Sequence, residues 1–236
     1  MKAVILAGGL GNRLKPFTEA IPKPLLPIGE KSILEIQIMH LMKNGFKEIY
    51  IATFYKAEYV ESVIHDYQKR DVNIIFSKEK KPLGTCGPLS LLRKDLAQPF
   101  ILMNGDILTT LDLQKFFEYG NKHNSFLTVA TKKVTTPFNF GKVVSKENLI
   151  IGIEEKPDLE LEILAGIYFM KPSVMEYIPD DEYYGIDHLI KKMLSLSLPI
   201  TKYLMSEYWL DIGNIDSYNE AQVAYEKHFD VKNENK

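Results

Sequence analysis

The chain has 236 residues, a formal net charge of −2, 45% hydrophobic and 25% charged residues, which suits one large α/β domain or two small ones with a buried core. No basic excess or stripe marks it as a nucleic-acid binder, and no apolar run reaches the ~20 residues of a membrane helix. The single cysteine, Cys86, excludes an internal disulfide framework and a cysteine zinc site, and it suits a reducing cytoplasm.

Val4-Ile5-Leu6 is a short continuous apolar run ending at Gly8-Gly9. It predicts a strand buried on both faces of a parallel sheet, not a signal peptide. The loop that follows is rich in Gly and Pro, from Gly11 to Gly29, and a loop of that length in a compact domain is usually functional. Ser32-Ile33-Leu34-Glu35 reads as a capping box opening an apolar-periodic helix that stops near Asn44-Gly45. Strands are predicted over 48–53 and 72–76, with a helix over 57–69 between them. A loop with Pro82 and Gly84 leads to a short helix at 87–93, and a fourth strand at 100–103 ends at Asn104-Gly105-Asp106. Asp112 caps a helix through Tyr119. Strands alternating with helices imply right-handed crossovers and a mainly parallel sheet.

The second half reads differently. Strand-like segments at 126–133, 142–144, 149–154 and 163–170 crowd together and predict antiparallel or mixed pairing beside the first sheet. Helices at 184–195 and 215–228 flank Tyr208-Trp209-Leu210-Asp211-Ile212-Gly213. The polar tail 231–236 is expected to fray. With no internal repeat, low-complexity tract or linker, one fused domain over 1–230 is expected.

Glycines after a strand let backbone N–H groups approach phosphates. Gly8, Gly9 and Gly11 stand there, and Arg13 and Lys23 can neutralise such a group, one as a fork and one as a point charge. Taken alone, a Gly-rich turn with two solvated cations is the commoner story. Two rival phosphate loops fail. The dinucleotide fingerprint wants a third glycine where Leu14 stands. The P-loop wants Ser or Thr after Gly-Lys, and Gly141-Lys142 is followed by Val143.

Asp106 lies just past the carboxyl end of an apolar strand, where open α/β sheets bind ligands. Asp211 stands two residues before Gly213. Mg²⁺ takes one or two carboxylates plus substrate phosphates and waters, a demand this pair fits; a turn or helix cap is the plainer reading of each. Glu155 and Lys156, with Gly141 and Ala165-Gly166 nearby in sequence, can face a sugar phosphate, although singly an exposed charged turn is simpler. The five histidines show no metal spacing, and Cys86 has no paired histidine to activate it.

In chain order the motifs are G-G-L-G-N-R-L, P-K-P-L, P-L-G-T-C-G-P-L, N-G-D, F-G-K-V, E-E-K-P, A-G-I-Y and W-L-D-I-G. The set resembles the sugar-1-phosphate nucleotidylyltransferases, nearest to their mannose-1-phosphate guanylyltransferase-like members, from Met1 to about Ala224. The resemblance implies a Rossmann-like, mainly parallel α/β sheet flanked by helices, with a nucleotide-binding half at about 1–120 and a mixed or antiparallel sugar-binding half at about 121–230. It implies Leu6, Ala7, Gly8, Gly9 and Gly11 along the nucleotide, with Glu79, Gly84 and Thr85 beside the base. Arg13 and Lys23 are the implied catalytic cations. Asp106 and Asp211 are implied to be catalytic and to hold Mg²⁺. Asp106, Gly141, Glu155, Lys156, Ala165 and Gly166 are implied around the sugar phosphate. The expected partners are an NTP and a sugar 1-phosphate, with no nucleic acid and no membrane, and a homodimer is allowed.

The attacking group would be a phosphate with a second pKa near ~6, already largely dianionic at neutral pH. No general base is then needed. Glu79 favours GTP, because a carboxylate accepts from two neighbouring donors. Guanine offers N1–H and N2–H₂, whereas uracil and thymine offer one imide N–H. A solvated Glu79 among Lys78, Lys80 and Lys81 is the plainer alternative. Leu164 stands where guanylyltransferase relatives often have Asn, so heptose and glucosamine join mannose as expected sugars. UTP, dTTP or CTP chemistry, or a non-catalytic binding homologue, are the alternatives. No hexapeptide repeat appears, so neither acyl transfer nor allosteric control by a β-helix is expected.

Overall fold

The computed structural model describes residues 1–65, 67 and 72–229. The tail at 231–236 and part of the helix expected over 57–69 lie outside them. In chain order the elements are β1 (Lys2–Leu6), α1 (Phe17–Ala20), β2 (Pro27–Ile28), β3 (Lys31–Ser32), α2 (Ile33–Lys43), β4 (Glu48–Thr53), α3 (Ala57–Ile64) and β5 (Asn73–Lys78). Then come β6 (Phe100–Asn104), β7 (Ile107–Thr109), α4 (Leu113–Lys122), β8 (Leu127–Pro137), β9 (Lys142–Lys146), β10 (Leu149–Glu154) and β11 (Asp158–Met170). α5 (Ile186–Ser195), β12 (Ile200–Leu204), β13 (Trp209–Asp211) and α6 (Ile215–His228) complete the chain. The helix expected at 87–93 is a 3-10 turn at Gly87–Leu92, and β7 and β12 are strands that the sequence pattern did not reveal.

The local signals act as expected. Ser32 Oγ accepts from Glu35 N–H, and Glu35 Oε2 accepts from Ser32 N–H at 2.7 Å. This reciprocal pair satisfies two of the orphan donors at the start of α2. Asp112 Oδ1 accepts from Lys115 N–H at 2.8 Å and caps α4.

One seven-stranded sheet runs in the order β12-β8-β11-β6-β1-β4-β5. Only β11 opposes its neighbours, β6 and β8; the other four pairings are parallel. Of the second-half strands, β8, β11 and β12 join the first sheet, whereas β9 and β10 pair apart from it and β13 pairs with β7. β1 is buried on both faces. Ala3 and Ile5 pack with Leu34, Ile38 and Phe116 in one cluster. Val4 packs with Leu89, Leu102 and Leu189 in another. Each such Leu or Ile, fully buried, contributes roughly 1.5–3 kcal/mol. A third cluster holds Leu14, Leu108, Ile212 and Ala221. It pins the loop after β1 against β7, β13 and α6. Beyond the main sheet, β8 and β11 run on as a paired arm, Asp158 opposite Pro137, and the β9–β10 hairpin pairs only with itself.

Candidate active site

β1 and β6 end side by side, Leu6 opposite Asn104. β4 and β5 lie on one flank of β1 and β6 on the other. The strand order therefore reverses here, which makes the ligand crevice of an open α/β sheet. A cleft of about 300 Å³ opens at this point, lined by Leu6, Gly8, Gly9, Lys23, Glu79, Gly84, Thr85 and Asp106, among others. Gly105 N–H donates to Leu6 O at 2.9 Å. A Cβ on Gly105 would sit 2.2 Å from that oxygen, so only glycine lets the two loops touch. Gly11 is left-handed at φ +64°, and its carbonyl accepts from Thr18 Oγ1 at 2.9 Å. Ala7 is buried behind the cleft, its N–H donating to Ala52 O.

Asp106 and Asp211 are 105 positions apart in sequence, yet the structure brings them together. β13 runs antiparallel to β7 with Asp211 opposite Ile107, and Ile212 N–H donates to Asp106 O at 2.9 Å. Lys23 is only 8% exposed, and its Nζ lies 2.5 Å from Asp106 Oδ2. A Cβ on Gly213 would meet Arg13 Nη1 and Asp211 Oδ1 at 3.4 Å each, so both groups crowd one glycine. Desolvation, then the neighbouring Asp106, pushes the Asp211 carboxyl above its usual range, while Lys23 and Arg13 pull it back. Arg13 and Asp211 each adjoin a fully buried anchor, Leu14 and Ile212. The result is two carboxylates and two cations held on a packed frame.

This donor set suits a hard divalent cation, since both ligands are carboxylate oxygens and their mutual repulsion would fall when one binds. Among the described residues no group of three or more His, Cys, Asp or Glu makes a closed cage. Two carboxylates leave the rest of such a shell to phosphate oxygens and water.

Glu79 is no solvated surface charge. It is 8% exposed, its Oε2 accepts from Leu83 N–H at 2.9 Å, and desolvation raises its pKa. Oε1 lies 2.8 Å from where a Gly8 Cβ would stand, so the carboxylate meets the glycine loop. Thr85 Oγ1 accepts from Ile186 N–H at 2.6 Å and so ties the cleft to the start of α5. The Cys86 thiol is buried and pushed well up by desolvation, which leaves it no role as a nucleophile.

On the sugar side the picture divides. Gly166, left-handed at φ +70°, packs so closely on Asn104 that a Cβ would lie 2.8 Å from its Nδ2. Trp209 Nε1–H donates to Ala165 O at 2.7 Å. Ala165 and Gly166 thus flank the turn that carries Asp106. Gly141, Glu155 and Lys156 are exposed on the arm, and none of them lines the cleft. A Gly141 Cβ would approach Glu155 Oε2 at 3.3 Å, and Lys156 turns the chain at φ +46°.

The structure adds two residues to the candidate site for which the sequence reading gave no role. Asn104 lines the cleft, and its Oδ1 is buried without a hydrogen-bond partner among the described residues. Gln37 is 2% exposed, and its Nε2 donates to both Asn104 O (2.9 Å) and Ile107 O (2.8 Å). It clamps the turn that carries Asp106. Its signal was a polar residue on the apolar stripe Ile33, Gln37, Leu41, four residues apart along α2.

Known proteins resemble this chain along nearly its whole length. A family model described as nucleotidyl transferase matches residues 2–228. A mannose-1-phosphate guanyltransferase of Pichia angusta is 34% identical over all of this chain and 67% of its own length. A UTP–glucose-1-phosphate uridylyltransferase of Synechocystis is 33% identical over 94% of this chain and 62% of its own length. The chain thus spans about two thirds of such relatives. The solved structure of HddC from Yersinia pseudotuberculosis complexed with GMP-PN superposes with a TM-score of 0.74 at 27% identity, covering 95% of this chain and 99% of that one. With a family model spanning nearly its whole length and relatives above 30% identity over nearly all of this chain, the chain belongs to the nucleotidyl transferase family.

Proposed function

We propose that the protein joins an NTP, preferentially GTP, to a sugar 1-phosphate of the mannose, heptose or glucosamine type, giving an NDP-sugar and pyrophosphate. The observation that carries this reading is the cluster of Lys23, Asp106, Asp211 and Arg13 beside a glycine-lined cleft. The sequence matches to a mannose-1-phosphate guanyltransferase and to a structure complexed with GMP-PN support it. The need for NTPs supports a cytoplasmic location in this reading; no helix among the described residues is long and apolar enough to cross a membrane.

In this reading an oxygen of the sugar phosphate attacks the α-phosphorus of the NTP in line. The bond between the α-phosphorus and the bridging oxygen breaks, and its electrons leave with pyrophosphate. No proton must be removed from the nucleophile, so catalysis is positioning and charge stabilisation. Gly8, Gly9 and Gly11 turn backbone N–H groups toward the triphosphate. Lys23, nearly desolvated, meets charge at the α-phosphate, and Arg13 steadies the leaving pyrophosphate with its fork. Asp106 and Asp211 would hold Mg²⁺, which would supply Lewis-acid neutralisation of the phosphate oxygens. Ala165 and Gly166 wall the sugar, while Glu155, Lys156 and Gly141 serve it from the arm. Glu79 reads the base, with Gly84 and Thr85 beside it.

The test is pyrophosphate release with Mg²⁺ from a matrix of GTP, ATP, CTP, UTP and dTTP against a panel of sugar 1-phosphates. Release confined to GTP with one sugar is expected. Faster release with UTP or dTTP would discard the guanine reading. No release from folded protein with any pair would refute the reaction.

A further inference from the structure

We infer that the ring of Tyr183 is the platform on which the base of the bound nucleotide stacks; the inference rests on the nucleotide half of the reading above. Two tyrosines stand side by side at 183 and 184, and the structure sends them different ways. Tyr184 is half-buried and packs against the cluster that holds Cys86 and Leu89. Tyr183 is 65% exposed and lines the cleft. Among the described residues only Leu10 is likewise a large exposed apolar side chain on the cleft wall. An aromatic ring left in water beside a binding cleft has a face to offer a planar ligand.

The ring is held on a fixed backbone. Tyr184 N–H donates to Leu83 O at 2.8 Å, and Tyr184 O accepts from Cys86 N–H (2.8 Å) and Gly87 N–H (3.0 Å). Asp181 N–H donates to Ser90 Oγ at 3.3 Å, and Ile186 N–H donates to Thr85 Oγ1. Residues 181–186 are thereby strapped along the loop 83–90. Two glycines of that loop make the contact possible. A Cβ on Gly87 would lie 2.5 Å from Glu182 O. One on Gly84, left-handed at φ +81°, would lie 2.9 Å from Tyr184 O and 3.3 Å from Tyr183 Cε2. The Tyr183 ring therefore sits on Gly84, next in the chain to Leu83, whose N–H holds Glu79 Oε2, while Glu79 Oε1 reaches Gly8. Carboxylate and ring share one stretch of cleft wall. A planar base presents a polar edge and an apolar face. Glu79 serves the edge, and Tyr183 serves the face at little entropic cost, since its backbone is already fixed and a tyrosine has only two side-chain torsions to restrain.

Isothermal titration calorimetry of the full chain with Mg²⁺ and no sugar separates this contact from the chemistry. The probes are GTP and inorganic tripolyphosphate, which carries phosphates without a base. In Tyr183→Ala the Kd for GTP is expected to rise about tenfold, the scale of one base–aromatic stack, while the Kd for tripolyphosphate stays as in wild type. Tyr183→Phe keeps the ring face and is expected to bind GTP as wild type does. The side chain is mostly exposed, so both variants should keep their far-UV circular dichroism and Tm. An unchanged GTP Kd in Tyr183→Ala would overturn the inference. So would an equal loss of tripolyphosphate, which would mark damage to the cleft, or a failure of Tyr183→Phe to restore binding, which would assign the effect to the hydroxyl. A raised KM for the sugar 1-phosphate with NTP binding intact would overturn it too, since the ring would then face the sugar. A wild-type protein that binds none of GTP, ATP, CTP, UTP and dTTP would have the same effect. Nucleotide binding that depends on Tyr183, with no pyrophosphate released from any pair, would sustain the stack and fault the proposed reaction alone.

Discussion

Replacing Glu79 by Gln should move the enzyme from guanine toward uracil, and the size of the shift follows from the carboxylate's surroundings. Oε2 already accepts from Leu83 N–H at 2.9 Å, a bond that the amide oxygen of Gln can keep. The other position then becomes an NH₂ group aimed where guanine presents its own donors. One charge-assisted hydrogen bond is lost and two donors are set against each other. Hydrogen bonds to charged groups contribute about 1.5–3 kcal/mol, so kcat/KM for GTP should fall by about 100-fold, at 1.4 kcal/mol per factor of ten. The amide can accept from the imide N–H of uracil and donate to a neighbouring carbonyl, so UTP should gain. The assay is kcat/KM for GTP and UTP with the same sugar 1-phosphate under Mg²⁺. An unchanged GTP-to-UTP ratio would refute the assignment of Glu79 to the base. A pH control accompanies it. Desolvation raises the Glu79 pKa in the folded state, so the folded chain holds this proton more tightly than the unfolded one. That contribution to stability is complete below the unfolded pKa and is lost as pH rises through the folded one. Glu79→Gln should therefore raise the Tm relative to wild type at pH 7, and the difference should fade in acid.

Asp106→Asn and Asp211→Asn should each reduce Mg²⁺-dependent turnover by at least ~10³-fold, given the several kcal/mol that a bound cation contributes; wild-type rates in both would remove the metal assignment. The raised Asp211 pKa has the same sign as that of Glu79, so thermal melts of Asp211→Asn without divalent cation should lie above wild type at pH 7 and converge with it below pH ~4. Gln37→Leu takes the paired donor from two buried carbonyls, at about 1–3 kcal/mol each. It should lower the Tm and raise the Mg²⁺ concentration for half-maximal turnover several-fold, and an unchanged Mg²⁺ requirement would reduce Gln37 to a structural residue. Gly105→Ala would force a Cβ to 2.2 Å from Leu6 O. A cost of about 3 kcal/mol corresponds to a Tm lower by roughly 6–12 °C, and calorimetry showing no change would mean that the loop moves freely.

What the sequence made legible were features written within a few residues of one another. The capping box at Ser32 and Glu35, the Asp112 cap and the both-faces-buried run at Val4 to Leu6 each depend on neighbours in the chain, and each stands in the structure as read. β12 escaped because a half-exposed edge strand with Lys202 at its centre has a weak apolar pattern. β7 escaped because three residues show no period. Glu79 shows the opposite failure. Beside Lys78, Lys80 and Lys81 it reads as solvated, and it is buried because the loop to Leu83 folds back over it and supplies an N–H.

The cluster proposed to be catalytic lies at the limit of that legibility. Motif order picked out Asp106 and Asp211 individually, but nothing local says that a three-residue strand at 209–211 will pair with another at 107–109. That pairing is fixed by burial from elsewhere. Leu108, Leu210 and Ile212 enter one cluster with Leu14 and with Ala221 of α6. Shifting β13 by one residue would turn Leu210 and Ile212 out to solvent. The same apolar contacts that stabilise this corner therefore hold Asp211 beside Asp106 and Arg13 beside Asp211. Gln37 fastens the corner from the opposite side. Site geometry here is a consequence of core packing, so a cavity-forming change such as Ile212→Ala, ~2–5 kcal/mol in a core of this kind, should weaken Mg²⁺ dependence as well as stability, although it removes no ligand.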